Sequence, residues 1–185
     1  MVSQKKPNLG NVMVIGGCGF LGHHVVRLLL RDYTASVSVI DLRCTQNRRP
    51  DSDGVKYFEA DITDAAKLQS IFEETKPAVV IHTASPAPQN EGPRSDKLFY
   101  KVNVEGTKAV IEAAKQTGVK ALVYTSSASI ISDNVSDLIN ADERWPVMRG
   151  KNQTEYYSET KVRCVTYPLS SAATCLALPC PQRHP

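Results

Sequence analysis

The stretch Val12 to Gly22, VMVIGGCGFLG, constrains the fold more than any other part of the chain. Four apolar residues in succession, Val12, Met13, Val14 and Ile15, predict a strand buried on both faces, as in a parallel sheet. Gly16, Gly19 and Gly22 follow at once. Their spacing lets the chain turn tightly, bring its backbone against a pyrophosphate and pack the next helix close to the sheet. The helix expected from Phe20 to Leu30 then aims its N-terminal N–H groups and the positive end of its dipole at that loop, which makes an anion seat. Cys18, inside the loop, reads as a small side chain.

A glycine triplet by itself also suits an ordinary strand-loop-helix turn, and its surroundings decide between the readings. A second apolar strand, Val37 to Ile40, ends in Asp41. A carboxylate there can hydrogen-bond the ribose hydroxyls of an adenosine and repels a 2′-phosphate, which favours NAD over NADP. Arg43 could accept that phosphate, so NADP stays open. The order strand, glycines, helix, strand, acid predicts dinucleotide binding.

The 185 residues are 42% hydrophobic and 22% charged, the composition of one globular domain with a real core. A net charge of +3 comes without any stripe of Lys and Arg, Arg48-Arg49 being too short, so nucleic acid is not expected as a partner. The five cysteines, 18, 44, 164, 175 and 180, are odd in number and lack paired metal-ligand spacing, which predicts inert thiols and no metal site. Met1 to Asn11 has no apolar core of a signal peptide, and no apolar run approaches the length of a transmembrane helix.

A third strand is expected over Val55 to Ala60, followed by DITD. Thr63 or Asp64 caps a helix running to about Thr75, with Pro77 beyond its end. Asp61, at the tip of the third strand, is placed to face an adenine edge with Ile62 packed on the ring, unless both acids only start the helix. Ala78 to His82 is a fourth buried strand, opening into Thr83-Ala84-Ser85-Pro86, small residues over which a cofactor can lie. His82 reads as a packed or hydrogen-bonding histidine with no catalytic role. A long helix is expected from Asp96 to Thr117, with Leu98, Val102, Ala109, Val110 and Ala113 in helical period and Gly118 ending it. Asn103, inside it, either faces solvent or binds neighbouring strand tips. Ala121 to Thr125 is a fifth strand, tipped by Ser126-Ser127-Ala128-Ser129. Strands alternating with helices predict an α/β doubly wound parallel sheet of the Rossmann type, order 3-2-1-4-5, with ligand at the carboxyl ends.

Tyr157 and Lys161, in YYSETK, lie four apart, so on a helix they share one face, one turn apart. A phenol titrates near about 10 and needs a cation to serve as a base at neutral pH, and an ammonium one turn away favours the phenolate. Lys161 can also donate to a nicotinamide ribose. A serine hydroxyl from another element, Ser127, can hold the substrate oxygen and stabilise charge developing on it.

Taken together, GGCGFLG, DITD, IHTASPAP, KVNVEGTKAVIEAAKQTGV, VYTSSASI and YYSETK resemble the extended short-chain dehydrogenases of the 3β-hydroxysteroid dehydrogenase family, over about residues 11 to 162. The likeness is strongest to the branch that oxidises 4α-carboxysterols with decarboxylation. It implies a catalytic triad of Ser127, Tyr157 and Lys161, the serine being the one just before the small residue Ala128. It implies NAD contacts from Gly16, Gly19, Phe20, Leu21 and Gly22, and from Asp41, Asp61, Ile62, Thr83, Ala84, Asn103, Tyr157 and Lys161. Ile15 departs from the threonine often found before the first glycine, which removes one loop hydrogen bond. The implied activity is NAD(P)-dependent oxidation of a sterol 3β-hydroxyl, after which the C4 carboxylate leaves as carbon dioxide. The implied setting is the endoplasmic reticulum, membrane-associated, beside other enzymes of sterol C4 demethylation and as a homodimer.

After about Arg163 the resemblance stops. Residues 164–185 carry Pro168, Pro179, Pro181 and Pro185 and no amphipathic period, which reads as a truncated or altered C-terminus. The expected organisation is therefore a polar segment 1–10, a NAD-binding domain 11–163 with the Tyr/Lys helix, and an aberrant tail 164–185. The missing strands and substrate lobe would leave the sheet with an exposed edge and the sterol pocket without a wall. Another extended dehydrogenase or epimerase, acting on a nucleotide sugar or a flavonoid ketone, and an inactive NAD-binding module are the alternatives. Trp145 and Met148, within Ser132 to Gln153, favour an apolar ligand.

Overall fold

The computed structural model describes residues 5–87, 93–142, 144–165 and 174–175. Its strands are β1 (Asn8–Ile15), β2 (Thr34–Asp41), β3 (Lys56–Glu59), β4 (Val79–His82), β5 (Ala121–Tyr124) and β6 (Thr174–Cys175). They form one sheet in the order β3-β2-β1-β4-β5-β6, every pairing parallel. The helices are α1 (Phe20–Asp32), α2 (Ala65–Thr75), α3 (Pro93–Phe99), α4 (Thr107–Gln116) and α5 (Tyr156–Val165). The expected 3-2-1-4-5 order is present.

β1 shows why an unbroken apolar run marks its strand. Met13 and Ile15 point into one core, with Ile40, Phe72, Val80, Val110 and Leu122. Val12 and Val14 point into the other, with Val26, Leu29, Val37 and Val39. All four side chains of the run are buried, and burying each is worth about 1.5–3 kcal/mol. The register sets Ile15 beside Ile40 on one side and His82 on the other, which lines up the carboxyl ends along one edge.

Several boundaries differ from the sequence pattern, each for a physical reason. β1 and β2 start earlier than their apolar runs, at Asn8 and Thr34, because the backbone pairs outward through exposed polar residues. Asp64 is the cap of α2, accepting from the Lys67 N–H at 3.0 Å. The single helix expected from Asp96 to Thr117 is interrupted: between α3 and α4 the segment Tyr100–Gly106 winds as a π-helix. A π-helical turn has no residue signature of its own, so a continuous run of helix formers reads as one helix. Gly106 sits in that wide turn against Ile62, whose Cδ1 would lie 2.7 Å from a Cβ there.

The bare edge expected beyond β5 is corrected. Thr174 and Cys175 pair with Ala121 and Leu122 as β6. α5 also runs past the Arg163 boundary to Val165, and Cys164 is buried in the core. The four prolines of the tail lie outside the described residues. No helix among the described residues is long and apolar enough to cross a membrane.

Gly22 packs α1 onto the glycine loop so closely that a Cβ would overlap the Gly16 carbonyl oxygen. Gly22→Ala is expected to lower the unfolding free energy by about 1–3 kcal/mol in urea titration, the cost of overpacking against backbone that cannot move aside.

Candidate active site

The loop after β1 is held open by its own backbone. Gly16 has φ +82°, donates its N–H to Ile40 O at 2.7 Å, and lies so close to β4 that a Cβ would come within 2.7 Å of Ala84 N. A residue with a side chain would fill this crossing. Asp41, at the tip of β2, accepts from the Cys18 N–H at 3.0 Å, which fixes the carboxylate against the loop. Thr83 donates its hydroxyl to Ile15 O at 2.9 Å and holds the β4 tip to the β1 tip.

These strand ends enclose a cavity of about 280 Å³. Of the residues singled out by sequence, Gly16, Gly19, Asp41 and Asp61 line it. Ile62, Thr83 and Ala84 complete that set. Two carboxylates, with Thr83 and Ser85, stand beside a largely apolar wall, and that set of groups fits an adenosine: ribose hydroxyls donating to Asp41, the flat base on Ile62 and its apolar neighbours. Gly22 is instead buried under the loop, while Phe20 (82% exposed) and Leu21 stand outside the cavity at the start of α1. The cavity also takes wall from Leu98 and Val102, which the helical period assigns to the core, and from Ser85 and Pro86. No sequence signal separates an apolar residue facing a core from one facing a ligand.

Asn103 lies in the π-helical turn and is 1% exposed. Its Oδ1 accepts from Ser85 at 3.0 Å and its Nδ2 donates to the Thr160 hydroxyl at 3.0 Å. The Cys164 thiol lies 2.7 Å from its carbonyl oxygen. Asn103 thus joins the cavity wall to α5 instead of lining the cavity, and it does so from inside the core instead of from solvent.

α5 docks on the tip of β5 through two side chains. Lys161, 3% exposed, donates from Nζ to Thr125 O at 2.8 Å, with Nζ 4.5 Å from the Tyr124 ring centroid. Burial pushes its ammonium down to about 8. Ser158, fully buried, lies 2.7 Å from the Ser129 hydroxyl. Ser127 sits between these two anchors, 2.7 Å from Ser129 Oγ. Tyr157 is half-buried, its ring edge-on to Phe99 at 5.4 Å. Lys161 and Ser127 thus lie at the carboxyl end of β5, and Tyr157, one turn before Lys161 on α5, packs on Phe99 of α3.

The other titratable groups near the site are held inert. His82 is fully buried, with Nε2 3.1 Å from the Thr107 hydroxyl, and burial, helped by Lys161, pushes it down to about 3. Burial pushes the Cys18 thiol up to about 12, and raises Cys44 and Cys164 as well. Among the described residues no group of His, Cys, Asp and Glu could hold a metal ion.

Residues 13–173 match the family model of the 3-beta hydroxysteroid dehydrogenase/isomerase family. The chain belongs to that family. Within it, the chain is 40% identical over 157 residues to the bovine protein named sterol-4-alpha-carboxylate 3-dehydrogenase, decarboxylating, covering 84% of this chain and 40% of that one. It is 36% identical over 168 residues to the protein of the same name from Candida albicans, covering 84% of this chain and 46% of that one. The chain thus spans less than half the length of these relatives. Among solved structures, the family fold is shared with the UDP-glucose 4-epimerase of Thermus thermophilus in complex with NAD. That match has TM-score 0.72 and 31% identity over 84% of this chain and 48% of that one.

A histidine kept neutral by burial makes stability depend on pH. The unfolded chain takes up a proton below about pH 6.5 that folded His82 refuses, so stability present above that pH is lost as pH falls. Between about pH 6.5 and 5 the unfolding free energy is expected to drop by up to about 1.4 kcal/mol per pH unit on this account. His82→Gln should flatten that limb in urea titrations.

Proposed function

We propose that this chain carries the cofactor-binding and catalytic portion of an NAD(P)-dependent sterol dehydrogenase. Its reaction is oxidation of the 3β-hydroxyl of a 4α-carboxysterol, with loss of the carboxylate at C4. Family membership and the two sterol-carboxylate relatives support the class of reaction. The observation that supports the reading is the anchoring of buried Lys161 to Thr125 O, just beyond the carboxyl end of β5, in a sheet whose carboxyl ends also line the cavity.

In this reading residues 11–163 form the NAD-binding domain. Asp41 takes the adenosine ribose hydroxyls, Ile62 supports the base beside Asp61, and the glycine loop with the N-terminus of α1 faces the pyrophosphate. Gly19, Phe20, Leu21 and Gly22 supply that backbone. The Asp41 carboxylate favours NAD, and NADP is the alternative should Arg43, exposed two residues on, take up the 2′-phosphate. Bound NAD supplies the acceptor for the hydride removed from C3.

The chain's own side chains handle the proton. Ser127 donates to the substrate oxygen and holds it, while the Tyr157 phenolic oxygen accepts the proton of the 3β-hydroxyl. Lys161 supplies positive charge on the same helical face. Once C3 is a ketone it stands β to the C4 carboxylate, so the electron pair of the breaking C–C bond passes into the ketone as an enolate while carbon dioxide leaves. Such a substrate partitions into membranes, and the enzyme works membrane-associated at the endoplasmic reticulum, as a homodimer beside other enzymes of sterol C4 demethylation.

Tyr157→Phe is expected to lower NADH formation from a 4-carboxysterol at least about 100-fold while leaving NAD affinity within about twofold. Retained turnover contradicts the assignment. UDP-glucose, offered as a second substrate because of the epimerase likeness, should give no turnover. Lys161→Met should likewise remove turnover yet raise the unfolding free energy at pH 7 by about 1–3 kcal/mol, because it replaces a buried charge with an apolar side chain of similar size.

A further inference from the structure

The N–H and the carbonyl of Cys18 are both held from outside the glycine loop. The N–H donates to Asp41 at the tip of β2, and the carbonyl oxygen accepts from Asn47 Nδ2 at 2.9 Å. Asn47 belongs to the loop that follows β2, where it takes the left-handed conformation at φ 53°, one that asparagine tolerates better than most residues. Its own carbonyl oxygen lies 2.8 Å from His23 Nδ1 in the first turn of α1. A carbonyl can only accept, so that ring nitrogen carries the hydrogen and donates. One exposed residue thus clasps the glycine loop with its side chain and α1 with its backbone, without itself lining the cavity.

What an anion meets at this loop depends on which way the peptide units face. N–H groups attract a phosphate, and carbonyl oxygens, the negative ends of the same dipoles, repel it. Two of the loop's carbonyls are occupied locally: Gly16 O accepts from the Gly19 N–H at 3.1 Å, and Gly19 O from the His23 N–H at 2.9 Å. Cys18 O is different, because its partner is a side chain brought from another segment, 29 residues away along the chain. The first N–H groups of α1 have no acceptor within the helix and are the donors left for an anion.

We infer that Asn47 is a positioning residue for the cofactor's pyrophosphate: its amide holds the Cys18 carbonyl oxygen away from the anion seat, so that the loop presents N–H groups there. The inference rests on the NAD-binding reading made above. Without the Asn47 amide, only the bond from the Gly19 N–H to Gly16 O resists rotation of the Cys18–Gly19 peptide, whose oxygen can then swing towards the phosphates. Two substitutions separate donor from shape. Asn47→Asp keeps the size of the side chain but puts an acceptor where the donor stood. Asn47→Gly keeps the left-handed backbone, and with it the bond from His23, while removing the side chain.

The test is calorimetric titration of the full chain with NAD, ADP and adenosine. Asn47→Gly should weaken NAD binding on the order of 5-fold, the size of one hydrogen bond, and Asn47→Asp on the order of 20-fold, because two acceptors then face each other. ADP, which carries the diphosphate, should lose affinity by the same factors. Adenosine, which lacks it, should bind both variants as it binds the unaltered chain. Failure of the unaltered chain to bind NAD overturns the NAD-binding reading and this inference with it. Unchanged NAD affinity in both variants, with the unaltered chain binding, overturns the role of Asn47 alone. A loss that adenosine shares in full also overturns that role, because it places the effect at the adenosine end. So does Asn47→Asp binding NAD as the unaltered chain does while Asn47→Gly is weak, which makes shape the cause in place of the donor.

Discussion

A buried ammonium holds the site together. Lys161 Nζ is taken out of water and has the Thr125 carbonyl and the face of Tyr124 in return. Burial drags its titration down to about 8, so the chain gives up stability to keep a charge there. What that charge does for the structure is to lock α5 onto the tip of β5. Tyr157 lies one turn back along that helix, and Ser127 two residues beyond Thr125.

The two ends of the site are built in different ways. At the β1–β2–β4 end the backbone does the work: a left-handed glycine at 16, a carboxylate tied to the Cys18 N–H and a threonine stitching two strand tips leave a cavity with one polar side. At the β5–α5 end side chains do the work, through Lys161, Ser158 and Ser129. Asn103 joins the halves. It binds Ser85, which lines the cavity, and Thr160, whose hydroxyl donates to Tyr157 O at 2.6 Å. The π-helical turn that carries Asn103 is a local departure from regular backbone of the kind that collects at functional sites.

Much of this was legible in the sequence because it depends on residue type at fixed spacing. An apolar run flanked by glycines and followed by Asp41 has few other uses, and strand–helix alternation narrows the sheet order to few choices. Asp64 as a cap follows from the chemistry of an acid before a helix. The features that were not legible depend on geometry without a residue signature. The π-helical turn between Tyr100 and Gly106 has no residue signature, and Leu98 and Val102 look like core residues whether they face a core or a cavity. β6 has only two residues, too short to leave a pattern. The serine contacts from Ser127 through Ser129 to Ser158 span two elements, so nothing in either stretch alone announces them.

The most direct measurement is a crystal structure of this chain with NAD bound. The adenosine should lie between Asp41 and Ile62, and the nicotinamide ribose within hydrogen-bond reach of Lys161, on the side of α5 that carries Tyr157. An adenosine bound elsewhere, or a nicotinamide directed away from Tyr157 and Ser127, would contradict the account.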